Sequence, residues 1–265
     1  MTRTRIITGL ISLPIVIALI QWGSWPFSIV ITVIALVAAW EFGQMMVAKG
    51  HQPSLFFSVI LVLVTLTHMR FPEWQLLVPG LTISIIVILI WELFQTTSDT
   101  QPVDWALTTT GSLYIGLGLG HLIGLRLLPE GYVWVWLAIA CTWGADTFAY
   151  FGGRTFGRHA FWPRWSPKKT WEGFVAGILG GMFGGWVVVL VHGFPLMQAL
   201  IIGVIVALVG PFGDLSMSMM KRYTGVKDSS DLIPGHGGVL DRVDSVIFSA
   251  IVVYYYAVWV LEVPS

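Results

Sequence analysis

The chain has 265 residues, 56% of them hydrophobic and only 11% charged, with a formal net charge of zero. A soluble domain carries roughly a quarter charged residues, so this composition excludes one and leaves the bilayer as the solvent. The zero net charge offers no field for nucleic acid, and the single cysteine, Cys141, excludes a disulfide framework or a cysteine zinc site.

Taken in chain order, apolar runs suited to crossing a hydrocarbon core of roughly 30 Å recur from end to end. The sequence predicts spans at residues 6–20, 26–47, 55–69, 76–94, 105–128, 132–151, 171–192, 195–210 and 243–261. Arg3 and Arg5 precede the first run as in a signal peptide, but no small-x-small cleavage site follows it, so a retained helix is expected. The fold class is therefore all-α, a polytopic integral membrane protein of about nine transmembrane helices.

Nine spans put the N-terminus and the loops after the second, fourth, sixth and eighth spans on one side. That side holds Arg3, Arg5, Lys49, Arg154, Arg158, Arg164, Lys168, Lys169, Lys221, Arg222, Lys227 and Arg242, against Arg70 and Arg126 on the other. Such asymmetry marks the first side as cytoplasmic. Trp22, Trp25, Trp74 and Trp105 suit interfacial belts. Gly116, Gly120 and Gly124 on the fifth span, and Gly173, Gly177, Gly181 and Gly185 on the seventh, predict one smooth face on each helix. Those faces admit another helix of the same chain or of a second copy. No strand precedes Gly116–Gly120, so it is not a nucleotide-binding glycine loop.

Acidic residues in or beside spans are costly and usually functional. Here they are Glu41, Glu92, Asp146, Glu172, Asp214, Asp241 and Asp244, each near the cytoplasmic end of its helix on this topology. Their repulsion requires cations nearby. The loops 152–170 and 211–244 supply them: Arg154, Arg158, Arg164, Lys168, Lys169, Lys221, Arg222, Lys227 and Arg242, with His159 and His236. A flank for anionic lipid heads would explain the lysines and arginines but not the interleaved carboxylates. Carboxylates beside a basic wall are what metal-assisted phosphoryl or nucleotidyl transfer needs.

Within these loops, Ser166-Pro167-Lys168-Lys169-Thr170 precedes a helix carrying Glu172 and Gly173 just inside it. A helix N-terminus with two lysines and two hydroxyls suits phosphate. The bland alternative is a helix cap with snorkelling lysines. The glycines of a Walker A loop are missing. Gly235-His236-Gly237-Gly238 is a turn that lets backbone approach a ligand closely. Asp241 and Asp244, three apart at a helix start, share a face, and capping explains one aspartate better than two.

The stretch 218–244, SMMKRYTGVKDSSDLIPGHGGVLDRVD, resembles the C-terminal motif of the phosphatidate cytidylyltransferases, also called CDP-diacylglycerol synthases. Lys221-Arg222, Lys227-Asp228, His236-Gly237-Gly238, Asp241-Arg242 and Asp244 fall at the family spacing, and Asp146–Tyr150, Gly153-Arg154, Gly157-Arg158 and 166–173 also look like family motifs. The resemblance implies transfer of CMP from CTP to phosphatidate with Mg²⁺ and a second metal ion. It also implies a homodimer in the bacterial inner membrane with its active site facing the cytoplasm. By motif match, Asp214 and Asp241 hold the metal, and with Asp244, Lys221 and Lys227 they form the catalytic set. Ser166, Lys168, Lys169, Thr170, Glu172, Arg222, His236, Gly237, Gly238, Arg242 and Asp146 are the substrate-binding candidates. One membrane domain covers 1–265, with 1–130 mainly scaffold and lipid groove and 131–265 carrying the catalytic helices and cytoplasmic loops.

Two other readings suit parts of the pattern. One is a cytidylyltransferase for a different lipid phosphate, sharing the polar loops. The other is a transporter or channel for an anion or divalent cation, which suits intramembrane carboxylates. Against it, the charges gather at the cytoplasmic surface rather than the midplane, and no repeat pairs the two halves.

Overall fold

The computed structural model describes residues 14–96, 99, 101–233, 235 and 237–264. Arg3 and Arg5 before the first predicted span, and His236 of the glycine turn, lie outside the described residues. Helix α1 covers residues 14–22. It is followed by α2 (Ser24–Ala48), α3 (Leu55–Arg70), α4 (Leu77–Leu93), α5 (Gln101–Leu127) and α6 (Gly131–Phe156). Then come α7 (Trp171–His192), α8 (Leu196–Thr224) and α9 (Leu240–Tyr255), the last continued by a π-helical turn over Tyr256–Val260.

Ser24–Ala48, Trp171–His192, Leu196–Thr224 and Leu240–Val260 are long and apolar enough to cross a membrane, and α3 and α4 are shorter apolar helices. An apolar core is buried, yet large apolar side chains also cover the outside and several polar ones lie inside. On α4, Val78, Ile83, Ile86, Leu89, Ile90 and Leu93 are exposed, whereas Glu41, Thr65, Asp104 and Ser249 are fully buried. A lipid solvent selects that arrangement, because an unsatisfied polar group in hydrocarbon costs several kcal/mol. The chain is a multi-pass membrane protein.

Two compact units divide the chain, residues 1–124 with 221–242 and residues 125–220 with 243–265. The chain passes between them within α5, α8 and α9. In the first unit, Gly116 of α5 meets Val62 and Thr65 of α3, and Gly120 meets Leu66 and Met69, so these two glycines serve packing. The loop between α2 and α3 is tied to the start of α5: Gln52 N donates to Asp104 Oδ1 at 2.8 Å and Ser54 N to Thr108 Oγ1 at 2.9 Å.

In the second unit the glycines of α7 do not form the single expected face. Gly173 and Gly177 meet Ala149 and Ala145 of α6, while Gly181 and Gly185 meet Gly203 and Ala199 of α8. Four residues turn an α-helix by about 400°, so a four-residue stripe drifts by about 40° per step and reaches a second neighbour. Gly180 and Gly184 complete the α6 contact, against Gly144 and Ala140. Thr142 Oγ1 donates to Ser249 Oγ at 2.7 Å, joining α6 to α9 by a buried hydrogen bond.

Two segments read as loops are more ordered than expected. Residues 152–156 continue α6, and beyond them β1 (Ala160–Trp162) and β2 (Ser166–Thr170) form an antiparallel hairpin pairing Ala160 with Thr170 and Trp162 with Ser166. The fold is thus nearly, not wholly, α-helical. Phe161 stacks on Phe174 with centroids 4.9 Å apart and meets Trp171 edge-on, fastening the hairpin to α7. The eighth helix does not stop before Pro211 but runs through it to Thr224. A proline removes one donor from the ladder, and the remaining turns carry the helix onward. At about 1.5 Å per residue its 29 residues span roughly 44 Å, more than the hydrocarbon core requires. Asp214, Ser218, Lys221 and Arg222 are therefore helical residues.

Candidate active site

The first unit holds a polar cluster built around the start of α9. Lys221 Nζ lies 2.5 Å from Asp241 Oδ1. The other oxygen, Oδ2, accepts from Ser229 N at 2.8 Å, Ser229 Oγ at 3.0 Å and Gly238 N at 3.1 Å. Asp241 is thus met by one cation, two backbone N–H donors and a hydroxyl that it shares with Glu41, which is how a buried carboxylate is tolerated. Gly237 has φ of +78°, a left-handed turn that glycine adopts freely, and it delivers Gly238 N to the carboxylate. Beside this pair lies Glu41 of α2, fully buried, accepting from Ser229 Oγ at 3.2 Å, Val239 N at 2.9 Å, Leu240 N at 2.7 Å and the Ser230 hydroxyl.

The second unit holds a cluster around Asp214. Lys169 Nζ lies 2.8 Å from Asp214 Oδ2 and also donates to Pro211 O at 3.2 Å. Ser218 Oγ donates to Asp214 Oδ1 at 3.3 Å, one helical turn on. Strand β2 places Lys168 in an exposed position and Lys169 in a half-buried one beside α8. Thr170 caps α7, its Oγ1 accepting from Gly173 N at 3.1 Å. Glu172 accepts from Arg158 N and His159 N and pairs with His159 Nδ1 at 2.6 Å, which closes the hairpin onto the helix.

The arrangement is lysine ammoniums held at fixed positions by carboxylates, in segments the sequence marked for phosphate chemistry. A sequence model of the cytidylyltransferase family matches residues 3–260. The chain belongs to the cytidylyltransferase family. It is similar to the phosphatidate cytidylyltransferase of Synechocystis sp., 33% identical with 99% of each chain covered. The enzyme of that name from Bacillus subtilis is 29% identical over 96% of each chain. The one from Staphylococcus aureus is 30% identical over 93% of this chain and 95% of its own. Nothing in these relatives favours a transporter or a different lipid phosphate.

For a family member, the remaining candidates fall as follows. Asp244 is buried in α9, one oxygen accepting from Ser245 N at 2.7 Å. Lys227, Arg222, Arg242 and Asp146 are exposed, and Ser166 is half-buried in β2. Among the described residues no three His, Cys, Asp or Glu side chains stand together as a ligand group. Mg²⁺ rarely uses such a cage; one or two carboxylates with substrate phosphates and water suffice. Asp214 and Asp241, each within its own unit, are hard oxygen donors of the kind Mg²⁺ takes, and each faces a lysine ammonium.

Sequence reasoning missed Ser229 and Ser230, which bridge the loop to Glu41 and Asp241. A serine pair between charged residues carries no distinctive signal. His51 was also missed: its Nε2 lies 2.8 Å from Tyr223 OH, and Lys49 Nζ sits 5.3 Å from the centre of the same ring. Both fix the last turn of α8 in the first unit.

Proposed function

We propose that the chain transfers CMP from CTP to phosphatidate, giving CDP-diacylglycerol and pyrophosphate for phospholipid synthesis. The observation that carries this reading is the segment 218–244, which resembles the family motif and whose Lys221 and Asp241 form a largely buried pair rather than a solvated flank. The names of the full-length relatives support the same activity.

A phosphate monoester has a second pKa of about 6, so phosphatidate brings its own nucleophilic oxygen at neutral pH and no strong general base is needed. That oxygen attacks the α-phosphorus of CTP. The new P–O bond joins the two phosphates as the bond to the β-phosphate oxygen breaks, and pyrophosphate leaves with the electron pair. Two polyanions must meet, so positioning and charge neutralisation supply most of the catalysis. Lys168, Lys169, Lys221 and Arg222 receive the triphosphate and the leaving pyrophosphate. Asp214 orients Lys169, and Asp241, itself held by Ser229 and Gly238, orients Lys221. Lys227 and Asp244 are close supports in this scheme. Ser166, Thr170, Glu172, His236, Gly237, Gly238, Arg242 and Asp146 complete the substrate side. Asp214 and Asp241 are the residues that would hold Mg²⁺, and a second ion belongs to the same proposal. The bound metal would neutralise phosphate oxygens and polarise the phosphorus.

The proposal also places nine spans in a bacterial inner membrane, with the N-terminus and the active site cytoplasmic and two copies forming a homodimer. The lopsided distribution of lysine and arginine supports that orientation. The test is activity of the purified chain on defined lipid phosphates. Phosphatidate used well ahead of polyprenyl phosphates supports the reading, and the reverse preference overturns it.

A further inference from the structure

We infer that Glu41 is a positioning residue of this site: from α2 it fixes Ser229 and Ser230 at one end of a loop and Val239 and Leu240 at the other and, through Ser229, the Asp241 carboxylate that holds Lys221. The activity arm of this inference rests on the cytidylyltransferase reading; the geometry does not.

Glu41 lies in an apolar helix and has no accessible surface, so it touches no substrate. A carboxylate in such a place is costly unless donors surround it. Among the described residues its four donors come from one segment: the hydroxyls of Ser229 and Ser230 and the backbone N–H groups of Val239 and Leu240. The last two belong to the unpaired donors at the start of α9, where negative charge is favoured. The helix that presents Asp241 is therefore capped by a residue 199 positions earlier in the chain.

Ser229 links the two carboxyl groups. Its hydroxyl has a single proton yet lies 3.2 Å from Glu41 Oε2 and 3.0 Å from Asp241 Oδ2, while its N–H goes to Asp241. A serine hydroxyl serves one acceptor at a time, so the two groups share one donor. Gly238 closes the clasp from the other side: its N–H reaches Asp241, and a Cβ there would stand 2.6 and 2.7 Å from the Glu41 oxygens. The two ends of the loop are thus gripped between Glu41 and Asp241. An apolar residue at position 41 would pack in α2 but take the acceptor from Ser230 Oγ, Val239 N and Leu240 N, leaving Ser229 Oγ to Asp241 alone.

Glu41→Gln tests this in the full chain in detergent. The amide offers one acceptor oxygen instead of two and turns N–H groups toward N–H donors. Turnover should fall by about 10- to 100-fold, the cost of misplacing a catalytic group, with KM for phosphatidate within about twofold of wild type. Amide hydrogen exchange should accelerate across 229–240 and stay at the wild-type rate in α6 and α7. Adding Ser229→Ala should cost little more than the worse single change, since both act through one loop. Unchanged exchange with unchanged turnover overturns the inference. So does exchange that rises equally in every helix with activity lost only in proportion to folded protein. If Glu41→Gln does not fold, Ser230→Ala, which leaves the carboxyl in place, is read by the same two measures. A wild-type chain that makes no CDP-diacylglycerol defeats the proposed function but leaves the exchange result to decide the positioning role.

Discussion

The two lysine–carboxylate pairs differ in burial, and this gives a quantitative expectation for Lys221→Ala against Lys169→Ala. The Lys221 and Asp241 side chains are 15% and 5% exposed at 2.5 Å, whereas Lys169 and Asp214 are 26% and 39% exposed at 2.8 Å. Removing one partner of a buried pair costs about 3–5 kcal/mol, because an uncompensated charge remains. Asp241 keeps Ser229 N, Ser229 Oγ and Gly238 N as donors, so Lys221→Ala should fall below that range, at about 2–3 kcal/mol. A surface pair contributes about 0–1 kcal/mol, and the half-exposed Lys169–Asp214 pair lies nearer that limit, so Lys169→Ala should cost about 1 kcal/mol. The assay is reversible denaturation in mixed micelles, followed by tryptophan fluorescence, with both variants measured in parallel. Adding Asp241→Asn to Lys221→Ala should recover part of the loss by removing the stranded charge. Equal losses for the two lysines, or no recovery in the double variant, would refute the reasoning.

Lys168 is exposed and Lys169 is held by Asp214, so Lys168→Ala should raise KM for CTP more than KM for phosphatidate, read from steady-state kinetics with each substrate varied. Gly238→Ala forces a Cβ against the Glu41 oxygens and should cost about 1–3 kcal/mol with a matching fall in turnover. Gly43→Ala, with nothing within 4 Å of its Cβ, should be neutral in the same denaturation assay. A cysteine at Ser166 should react with an impermeant thiol reagent only in inside-out vesicles; labelling in intact cells would reverse the orientation.

Much of the fold was legible because lipid solvent imposes long apolar runs, and the spans at α2, α3, α4 and α7 match the helices within a few residues. The ends of helices were harder. Pro211 looks like a stop signal, yet the helix runs through it, and that moved Asp214 and Lys221 from a loop onto α8. The hairpin at 160–170 was invisible because three- and five-residue strands leave almost no periodic signal. The candidate residues themselves were readable by type: Lys169, Lys221, Asp214 and Asp241 stand out as charges in an apolar chain. Their partnership was not. Glu41 reaches its acceptor role across 188 to 199 positions, and no local pattern encodes a bond of that span.

The central claim is cytidylyl transfer, and the position of a phosphorus label decides it most directly. Purified chain would be given CTP labelled at the α-phosphate or at the γ-phosphate, with phosphatidate and Mg²⁺ in mixed micelles, and the lipid phase counted. The account predicts α-label in the lipid, pyrophosphate released in equal amount, no γ-label in the lipid, and loss of nearly all transfer in Asp241→Asn. Entry of γ-label into the lipid, or no lipid label at all from the wild-type chain, would contradict it.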